Sequence, residues 1–448
     1  MVFNAFFAHP PVLSRSEIPY LPMKIAIVGA GVIGVTTAYE LVCDGHDVTV
    51  FERNSSIAVE SSFANAGIIA PGYVSPWAAP GMPFKVFKHL LSRHAPVKIK
   101  FPLSNNDLAW MWHWWRACKL DAYLANRNRM LALASYSRDR LHAITADLSL
   151  DFERNNGLMV LLCNAKDAKL MQPNLQVLRE TGMPFKELTS EEARIVEPAL
   201  NPDNNFLGAV HLPSDEVGNC REFTLLLKAE SQKLGVKYEM NTTVASVSSA
   251  RNAILSIANE NSPHNSTREF DAVVMCAGVA SAELLKPILK PLKRRLPLVP
   301  IYGYSISAAI REPLNAPRSA VMDESYKVAI TRMGNRVRVA GSAEIGGSLE
   351  NKRISAISTL YKVLQDWFPG AAHISNMGAS VTEWKGARPM LPDGPPVLGA
   401  CGAPNIWLNL GHGASGWALS CGSARVLADL ITKRTPEVDT NGMSIERF

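Results

Sequence analysis

The chain has 448 residues, of which 47% are hydrophobic and 19% charged, and its formal net charge is +6. This length exceeds one ordinary hydrophobic core, so two or more domains are expected, and the composition excludes an intrinsically disordered protein. The small positive charge favours anionic ligands or anionic membrane surfaces but does not indicate nucleic-acid binding. We therefore predict no nucleic-acid partner.

The first 22 residues, MVFNAFFAHPPVLSRSEIPYLP, lack a basic amino-terminal region, and His9 and Pro10 interrupt their short apolar run. They do not resemble a signal peptide, and no stretch of the chain reaches the roughly 18 uninterrupted apolar residues of a membrane-spanning helix. We expect residues 1–22 to be a disordered leader, Met23 to be an alternative start, and the chain to be soluble and cytoplasmic.

The first motif along the chain is KIAIVGAGVIGVTTAYE. Its β-branched run over 24–28 predicts a strand buried on both faces, and Gly29, Gly31 and Gly34 follow in G-x-G-x-x-G spacing before a helix. A second strand, DVTVFE, ends at Glu52. Such a unit binds dinucleotides, because the glycines admit the pyrophosphate, the helix N-terminus adds positive charge, and the carboxylate accepts from ribose hydroxyls. A purely structural glycine turn is the alternative. The residues predicted to hold the dinucleotide here are Ile25, Ala26, Ile27, Val28, Gly29, Ala30, Gly31, Val32, Ile33, Gly34, Glu52 and Arg53.

Two later segments favour FAD over NAD. The loop ESSFANAGIIAPG (60–72) is rich in small and hydroxyl residues and can bring amides against a phosphate or a flavin ring. Near the C-terminus, NIWLNLGHGASGWALSCGSARVLADLI is typical of a strand, a glycine loop and a helix whose dipole can stabilise charge on a reduced flavin. Strands are also predicted in GVKYEMNTTVASV and FDAVVMCAG. These segments add as FAD-binding candidates Ser61, Ser62, Asn65, Ala66, Gly67, Val244, Ala277, Gly278, Gly411, Gly413, Gly416 and Trp417.

Six segments together carry a resemblance to a known family. They are GAGVIGVTTAYEL, SSFANAGIIAPGYVSPWAAPG, HLPSDEVGNC, MDESYKVAITR, GARPMLPDGPPVLG and NLGHGASGWALSCGS, and they run in the family's order from about residue 23 to the C-terminus. On these motifs the chain resembles the FAD-dependent D-amino-acid oxidase superfamily and, within it, the bacterial D-amino-acid dehydrogenase small subunits. Only the leader lies outside the resemblance.

The resemblance implies an α/β fold of two domains. One is a discontinuous, Rossmann-like FAD-binding domain, expected over 23–80, 206–290 and 385–448. The other is an α+β substrate domain with a large mixed or antiparallel sheet, expected over 81–205 and 291–384. The sequence agrees with this division, because the middle segments carry strand-like runs such as RVRVAGSA and KVAITR without a second G-x-G-x-x-G motif.

By the same resemblance, Arg388 in GARPMLPDG matches the arginine that grips the substrate carboxylate. The role suits a planar, permanently charged fork, which binds a carboxylate through two parallel hydrogen bonds. A surface arginine paired with Asp393 is the alternative. The further catalytic candidates are Tyr304, Tyr326 and His412. Tyr302 stands where the family commonly has lysine, which argues against a charged contact there.

His412 lies between two glycines of the loop expected to meet the flavin. Its expected role is to place backbone amides at the ring, with the imidazole as a secondary influence. Hydride transfer from a substrate carbon requires mainly alignment and a neutral amine. Seven scattered cysteines without a Cys-x-x-Cys pair, and no His-x-x-x-His or EF-hand spacing, predict no metal and a reducing compartment.

The activity that the resemblance implies is FAD-dependent oxidation of the Cα–N bond of D-amino acids such as D-alanine. The products are a 2-oxo acid and ammonia, with hydride transfer to flavin N5 and electrons passed to an acceptor other than oxygen. The same fold serves sarcosine, glycine or L-2-hydroxy-acid oxidation, which remain alternatives. A third alternative is a flavin subunit that carries electrons without a substrate site. The Arg388 motif argues against it.

A basic, apolar segment, PFKVFKHLLSRHAPVKIKF, is followed by LAWMWHWWRACKL, and no acidic residue occurs between Glu60 and Asp107. This pattern fits peripheral contact with the anionic inner face of a membrane and electron transfer to a membrane quinone. The alternative is a helix with an aromatic buried face and a solvated basic face. The residues concerned are Lys85, Lys88, Arg93, Lys98, Lys100, Trp110, Trp112, Trp114 and Trp115.

Overall fold

The structure is a computed structural model, and it describes residues 21–89, 96–259, 265–374 and 381–448. The expected leader lies almost wholly outside these residues, so its predicted disorder stays a prediction. The helices of the described chain are α1 (Val32–Cys43), α2 (Met82–His89), α3 (Asn105–Ala117), α4 (Leu120–Leu148), α5 (Ala165–Glu180), α6 (Ser190–Val196), α7 (Cys220–Lys233), α8 (Ser281–Leu289), α9 (Ile354–Trp367) and α10 (Gly416–Ile431).

The strands fall into three sheets of six, ten and three strands. In chain order they are β1 (Lys24–Val28), β2 (Asp47–Phe51), β3 (Ile68–Ile69), β4 (Val97–Ile99), β5 (Asn155–Leu162), β6 (Lys186–Thr189), β7 (Gly208–Val217), β8 (Lys237–Glu239), β9 (Thr242–Ser249), β10 (Ala253–Asn259), β11 (Ser266–Phe270), β12 (Ala272–Met275), β13 (Val299–Ala309), β14 (Ala320–Asp323), β15 (Val328–Met333), β16 (Arg336–Ile345), β17 (Val381–Met390), β18 (Val397–Ala400) and β19 (Ile406–Leu410).

The first sheet has the order β18-β19-β12-β1-β2-β8 and is parallel except for β18. Its central strands are apolar without alternation because both faces are covered: Ile25, Ile27 and Val274 are fully buried. The strand order reverses between β1 and β12, and ligands of such sheets bind at the carboxyl ends beside that reversal. The structure thus confirms the Rossmann-like sheet expected from the glycine motif.

The second sheet has the order β17-β13-β16-β15-β14-β5-β7-β3, with β4 added beside β16 and β6 beside β7. Most pairs are antiparallel, but β14 with β5 and β16 with β4 are parallel, which confirms a large mixed sheet. Helix α9 packs on one face through Leu360, Val363 and Trp367. The other face is turned toward the first sheet, and the candidate site lies between them.

Two strands do not follow the expected division into domains. Strand β7 begins at Gly208 and pairs within the second sheet, although the boundary at residue 206 grouped it with the FAD-binding residues. Strand β17 runs through the boundary at residue 385. The domain to which a strand belongs depends on the strands with which it pairs, and local sequence does not show this pairing. The division into domains stays a prediction.

Helix α3 carries the tryptophan cluster. Trp110 and Trp114 are buried against β13, and Trp110 Nε1 donates to Met390 O at 3.0 Å, as the buried-face reading expected. Trp112 and Trp115 are instead 56% and 55% exposed. Arg93 and the side chains of Lys85 and Lys88 lie outside the described residues. In the described ranges, none of the helices has the length and apolar character needed to cross a membrane.

Candidate active site

A cavity of about 1340 Å³ lies between the two large sheets. At one end it is lined by Val28, Phe51 and Cys276, at or just beyond the carboxyl ends of β1, β2 and β12. At the other it meets Gly303 and Ala340 of the second sheet. Small-molecule pockets have volumes of roughly 300–1,000 Å³, so this cavity is large enough for a dinucleotide together with a small substrate.

Most of the predicted FAD-binding residues line this cavity. They are Val28, Gly29, Gly31, Val32, Ile33, Glu52, Arg53, Ser61, Ser62, Asn65, Ala66, Gly67, Val244, Ala277, Gly278, Gly411, Gly413, Gly416 and Trp417. Five predicted residues are not among its lining: Ile25, Ala26, Ile27, Ala30 and Gly34. The three residues of β1 and Ala30 are fully buried, because an interior parallel strand turns its side chains into the two cores rather than toward its end.

The three motif glycines have different physical roles. Gly29 has φ +102°, and a Cβ there would lie 2.7 Å from Cys276 O, so only glycine fits the turn. A Cβ on Gly34 would lie 1.9 Å from Gly29 O, which means that Gly34 permits α1 to pack against the turn. A Cβ on Gly31 would meet only Ser62 Oγ, at 3.4 Å, and Gly31 lines the cavity. Its missing side chain therefore leaves room for a ligand.

The N-terminus of α1 opens on the cavity without a side-chain cap from Gly31. The N–H of Val32 donates to Ser62 Oγ at 3.1 Å, which leaves the Ser62 hydroxyl proton available. The remaining amides of a helix's first turn have no partner within the helix, and they carry its partial positive charge. This end of the cavity is therefore suited to a pyrophosphate.

Glu52 lies at the end of β2, buried and in contact with the cavity. Its Oε2 accepts from the N–H of Ala30 at 2.8 Å, and its Oε1 accepts from the N–H and Nδ2 of Asn54 at 2.9 and 2.7 Å. These bonds fix the carboxylate while leaving one lone pair, on Oε2, for a ribose hydroxyl. Arg53, by contrast, pairs with Glu60 at 2.5 Å, and both side chains are about half exposed at the rim.

The loop over 60–72 is tied to two elements of the C-terminal part of the chain. Ser61 Oγ donates to Ala387 O at 2.5 Å, which joins the loop to β17. Asn65 Oδ1 accepts from the N–H of Gly67 at 3.0 Å, and Trp417 Nε1 donates to Gly67 O at 3.2 Å, which joins it to α10. The loop, β17 and α10 are thus held in one arrangement around the cavity.

The glycine loop before α10 has the strained backbone that only glycine accepts readily. Gly411 has φ +81° and Gly413 has φ +58°, and both line the cavity. His412 between them is buried, with Nε2 3.0 Å from Ser423 Oγ. Burial lowers the pKa of His412 to about 3. The imidazole is therefore neutral at physiological pH, and a role as a cationic acid does not fit it.

Asn409 is a cavity residue that the sequence reasoning missed. Its Nδ2 donates to Thr37 Oγ1 at 2.9 Å, but its Oδ1 is buried without a partner among the described residues. An unpaired buried acceptor is costly, so this atom fits a donor on a bound cofactor. Its place near the carboxyl end of β19 was the available signal. Together with Glu52 and the α1 amides, this orphan acceptor indicates that the residues present fit FAD.

Arg388 has no acidic partner at the second sheet. Its guanidinium lies over β13, because a Cβ built on Gly303 would be 2.3 Å from Arg388 Nη2, and its Nη1 donates to Ser342 O at 3.0 Å. Within the described chain no carboxylate approaches it to 4 Å. Asp393 pairs instead with Arg447 at 2.7 Å, so the alternative pairing of Arg388 with Asp393 is wrong. Burial without a counter-charge lowers the pKa of Arg388 to about 10, and the side chain lines the cavity.

Tyr304 borders the cavity, but its hydroxyl points elsewhere. Tyr304 Oη donates to Glu344 Oε2 at 2.8 Å, and Glu344 Oε1 pairs with the buried Lys385 at 2.9 Å. The register sets Tyr304 opposite Lys385, and Lys385 is three positions, an odd number, from Arg388 on β17, so Tyr304 and Arg388 occupy opposite faces of the sheet. Lys385 also lies 4.5 Å from the ring centre of Tyr302. The structure does not bring the Tyr304 hydroxyl to Arg388.

Tyr326, unlike Tyr304, is not among the residues that line the cavity. It sits in the turn after β14, where its N–H donates to Asp323 Oδ1 at 2.9 Å. The adjacent Lys327 does line the cavity and pairs with Glu324, whose Oε2 accepts from Tyr73 Oη at 2.9 Å. Tyr73 and Glu324 were not predicted, because nothing in their local sequence shows that two distant segments meet. The catalytic roles of Tyr304 and Tyr326 stay predictions.

Comparisons with known proteins agree with this geometry. Residues 24–430 match the DAO family, described as FAD dependent oxidoreductase. A D-amino acid dehydrogenase of Bradyrhizobium diazoefficiens is 41% identical over 428 residues, which cover 95% of this chain and 99% of that protein. The crystal structure of glycine oxidase from Geobacillus kaustophilus has a TM-score of 0.73 at 22% identity, covering 95% and 99% of the two chains. That of L-proline dehydrogenase from P. horikoshii has a TM-score of 0.69 at 16% identity, covering 96% and 98%. The chain belongs to the FAD dependent oxidoreductase family.

Proposed function

We propose that this protein is a D-amino acid dehydrogenase that converts D-amino acids, D-alanine among them, to 2-oxo acids and ammonia. The observation that carries the proposal is Arg388, a cation without a carboxylate partner in the described chain, at the cavity that the FAD-binding residues line. The 41% identity to a D-amino acid dehydrogenase over nearly the whole chain supports the same substrate class.

Arg388 binds and orients the substrate carboxylate. Ser342 O holds one terminal nitrogen at 3.0 Å, and the bare backbone of Gly303 lets the guanidinium lie flat against the sheet. A guanidinium fixed in this way offers its free edge to a carboxylate, and the pairing determines where the Cα of the substrate lies. Holding the reacting groups in the correct orientation supplies a large part of the rate enhancement of such a reaction.

Bound FAD supplies the hydride acceptor for oxidation of the Cα–N bond. The protein's own contribution begins with the protonation state of the substrate amine. Burial disfavours charged groups, so a substrate bound in the buried part of the cavity would be favoured with its amine in the neutral form that the reaction needs. The neutral imidazole of His412 adds no competing charge at the C-terminal glycine loop.

We propose a membrane quinone as the electron acceptor, with peripheral contact to the cytoplasmic face of the membrane. The exposed indoles of Trp112 and Trp115 on α3 support this contact, since aromatic side chains favour the membrane interface. Co-sedimentation with vesicles of anionic lipid tests the contact, and a doubly substituted Trp112→Ser, Trp115→Ser protein is expected to lose it. Equal sedimentation of both proteins would overturn the membrane part of the proposal.

The substrate class is tested by steady-state turnover with an artificial electron acceptor under nitrogen. D-alanine, L-alanine, glycine, sarcosine and L-lactate are supplied in turn, and the 2-oxo acid and ammonia are measured. We expect stoichiometric 2-oxo acid and ammonia from D-alanine, with L-alanine inactive. Turnover of glycine, sarcosine or L-lactate in place of D-alanine would overturn the proposal in favour of that substrate, and no turnover with any of them would favour an electron-carrying subunit.

A further inference from the structure

Strand β17 presents two side chains beside one another at the cavity. Residues two apart on a strand share a face, so Trp384, Gly386 and Arg388 all face the cavity, and all three line it. Lys385, between Trp384 and Gly386, faces the opposite side, where it is buried with Glu344. One face of β17 therefore carries Trp384 and Arg388 at the cavity, and the other carries the buried Lys385.

Two glycines form the platform for these side chains. A Cβ on Gly386 would lie 1.8 Å from Trp384 Cη2, so the indole's six-membered ring covers Gly386. A Cβ on Gly303 would lie 2.3 Å from Arg388 Nη2, so the guanidinium covers Gly303. Gly303 and Gly386 are directly opposite each other across β13 and β17. Cβ positions in such a pair are about 5 Å apart, so the indole and the guanidinium lie as neighbours.

The surroundings of Trp384 do not point to a structural role. The side chain is only partly buried, although it is large and apolar, and it belongs to none of the hydrophobic clusters formed by the described residues. A partly exposed indole in a cavity is free to contact a ligand.

We propose that Trp384 is the specificity-determining residue for the substrate side chain and restricts it to small, apolar groups. This inference rests on the proposed function. When Arg388 holds the carboxylate, the first carbon of the substrate side chain is two bonds from the carboxylate carbon. A side chain that extends toward Gly386 then meets the indole, which offers apolar contact to a methyl group and leaves little room for a larger substituent.

The test compares wild type with Trp384→Phe, Trp384→Leu and Trp384→Ala on D-alanine and D-phenylalanine. The flavin content of each variant is measured first, to select those that fold and bind cofactor. We expect the ratio of kcat/KM for D-phenylalanine to that for D-alanine to rise by about 10-fold or more in Trp384→Ala and less in Trp384→Phe. Leu314→Ala, which alters a side chain that is 83% exposed, serves as the control.

A merely structural role of Trp384 predicts a different result. Loss of packing would lower kcat/KM for both substrates together and leave their ratio within about twofold of wild type, which would overturn the inference. If Trp384→Leu and Trp384→Ala lose flavin, the kcat/KM ratio of the conservative Trp384→Phe variant decides between the two roles. Wild-type activity on D-alanine separately tests the proposed function, and inactivity toward both D-amino acids would overturn that function and this inference with it.

Discussion

Arg447 Nε lies 2.7 Å from Asp393 Oδ2, and this ion pair determines the surroundings of Arg388. Arg447 also donates to Pro396 O at 3.2 Å, so it holds the whole turn that follows β17. The first acidic side chain after Arg388 along the chain is therefore already neutralised. Ser342 O contacts the Arg388 guanidinium but brings no negative charge to compensate it, which a substrate carboxylate would do.

We expect Arg388→Ala to lower kcat/KM for D-alanine by about 30-fold to several thousand-fold, because removing one partner of a buried charge pair costs roughly 2–5 kcal/mol. Arg388→Lys keeps the charge but loses the planar fork, so it should recover only part of the activity. Steady-state kinetics measure both variants, and the flavin spectrum verifies cofactor binding. Arg251→Ala, on an exposed residue, is the matched control. Equal kcat/KM in wild type and Arg388→Ala would contradict the carboxylate role.

The Gly31→Ala and Gly34→Ala variants should lose different properties, FAD affinity in the first and stability in the second. At Gly34 the new Cβ collides with the backbone of Gly29 at 1.9 Å, so we expect a loss of about 1–3 kcal/mol in the free energy of unfolding. At Gly31 the Cβ meets only Ser62 Oγ and enters the cavity, so stability should hold while FAD affinity falls. Chemical denaturation of the cofactor-free proteins and FAD titration separate the two effects. Similar losses of both quantities in both variants would argue against distinct roles.

Glu52→Gln tests the ribose contact. The amide replaces one acceptor oxygen with a donor that faces the N–H groups of Ala30 or Asn54, and it removes the charge. Hydrogen bonds to charged groups contribute roughly 1.5–3 kcal/mol, so we expect the Kd for FAD to rise about 10- to 100-fold. Fluorescence quenching of FAD during titration measures it. The exposed Glu269→Gln is the control, and unchanged affinity in Glu52→Gln would refute the contact.

His412 should make the protein sensitive to acid. Burial lowers its pKa from 6.5 to about 3, so between these values the unfolded state binds more protons than the folded state. The stability contributed by neutral His412 is complete above pH 6.5 and is lost as the pH falls toward 3, by up to about 1.4 kcal/mol per pH unit. Urea unfolding at pH 7 and pH 5 should therefore show a smaller loss in His412→Asn than in wild type. Equal losses would contradict a neutral, buried imidazole.

Local sequence was sufficient for the dinucleotide end of the site. The strand, the glycine spacing and Glu52 lie within 30 residues, and their roles follow from short-range backbone geometry. The turn at Gly29 and the carboxylate at the end of β2 were found as predicted. Ile25 and Ala30 do not line the cavity, because the pattern marks a motif without showing which of its side chains face the ligand, and their contact with FAD stays a prediction.

The substrate end depended on pairing between distant strands. Tyr304 and Arg388 are 84 positions apart, and only the register of β13 with β17 shows that their side chains take opposite faces. Asn409 and Trp384 were missed for the same reason, although the alternation of Trp384, Gly386 and Arg388 was visible in the sequence. The Oδ1 of Asn409 can be recognised as an unpaired acceptor only once the structure shows which groups surround it.

The central claim, FAD-dependent oxidation of D-amino acids, is tested most directly by an anaerobic visible spectrum of the purified holoprotein. The spectrum is recorded before and after adding D-alanine, and separately L-alanine. We predict that D-alanine alone bleaches the flavin band and that Arg388→Ala bleaches far more slowly at the same concentration. Bleaching by L-alanine, or a flavin band that neither isomer changes, would contradict the account.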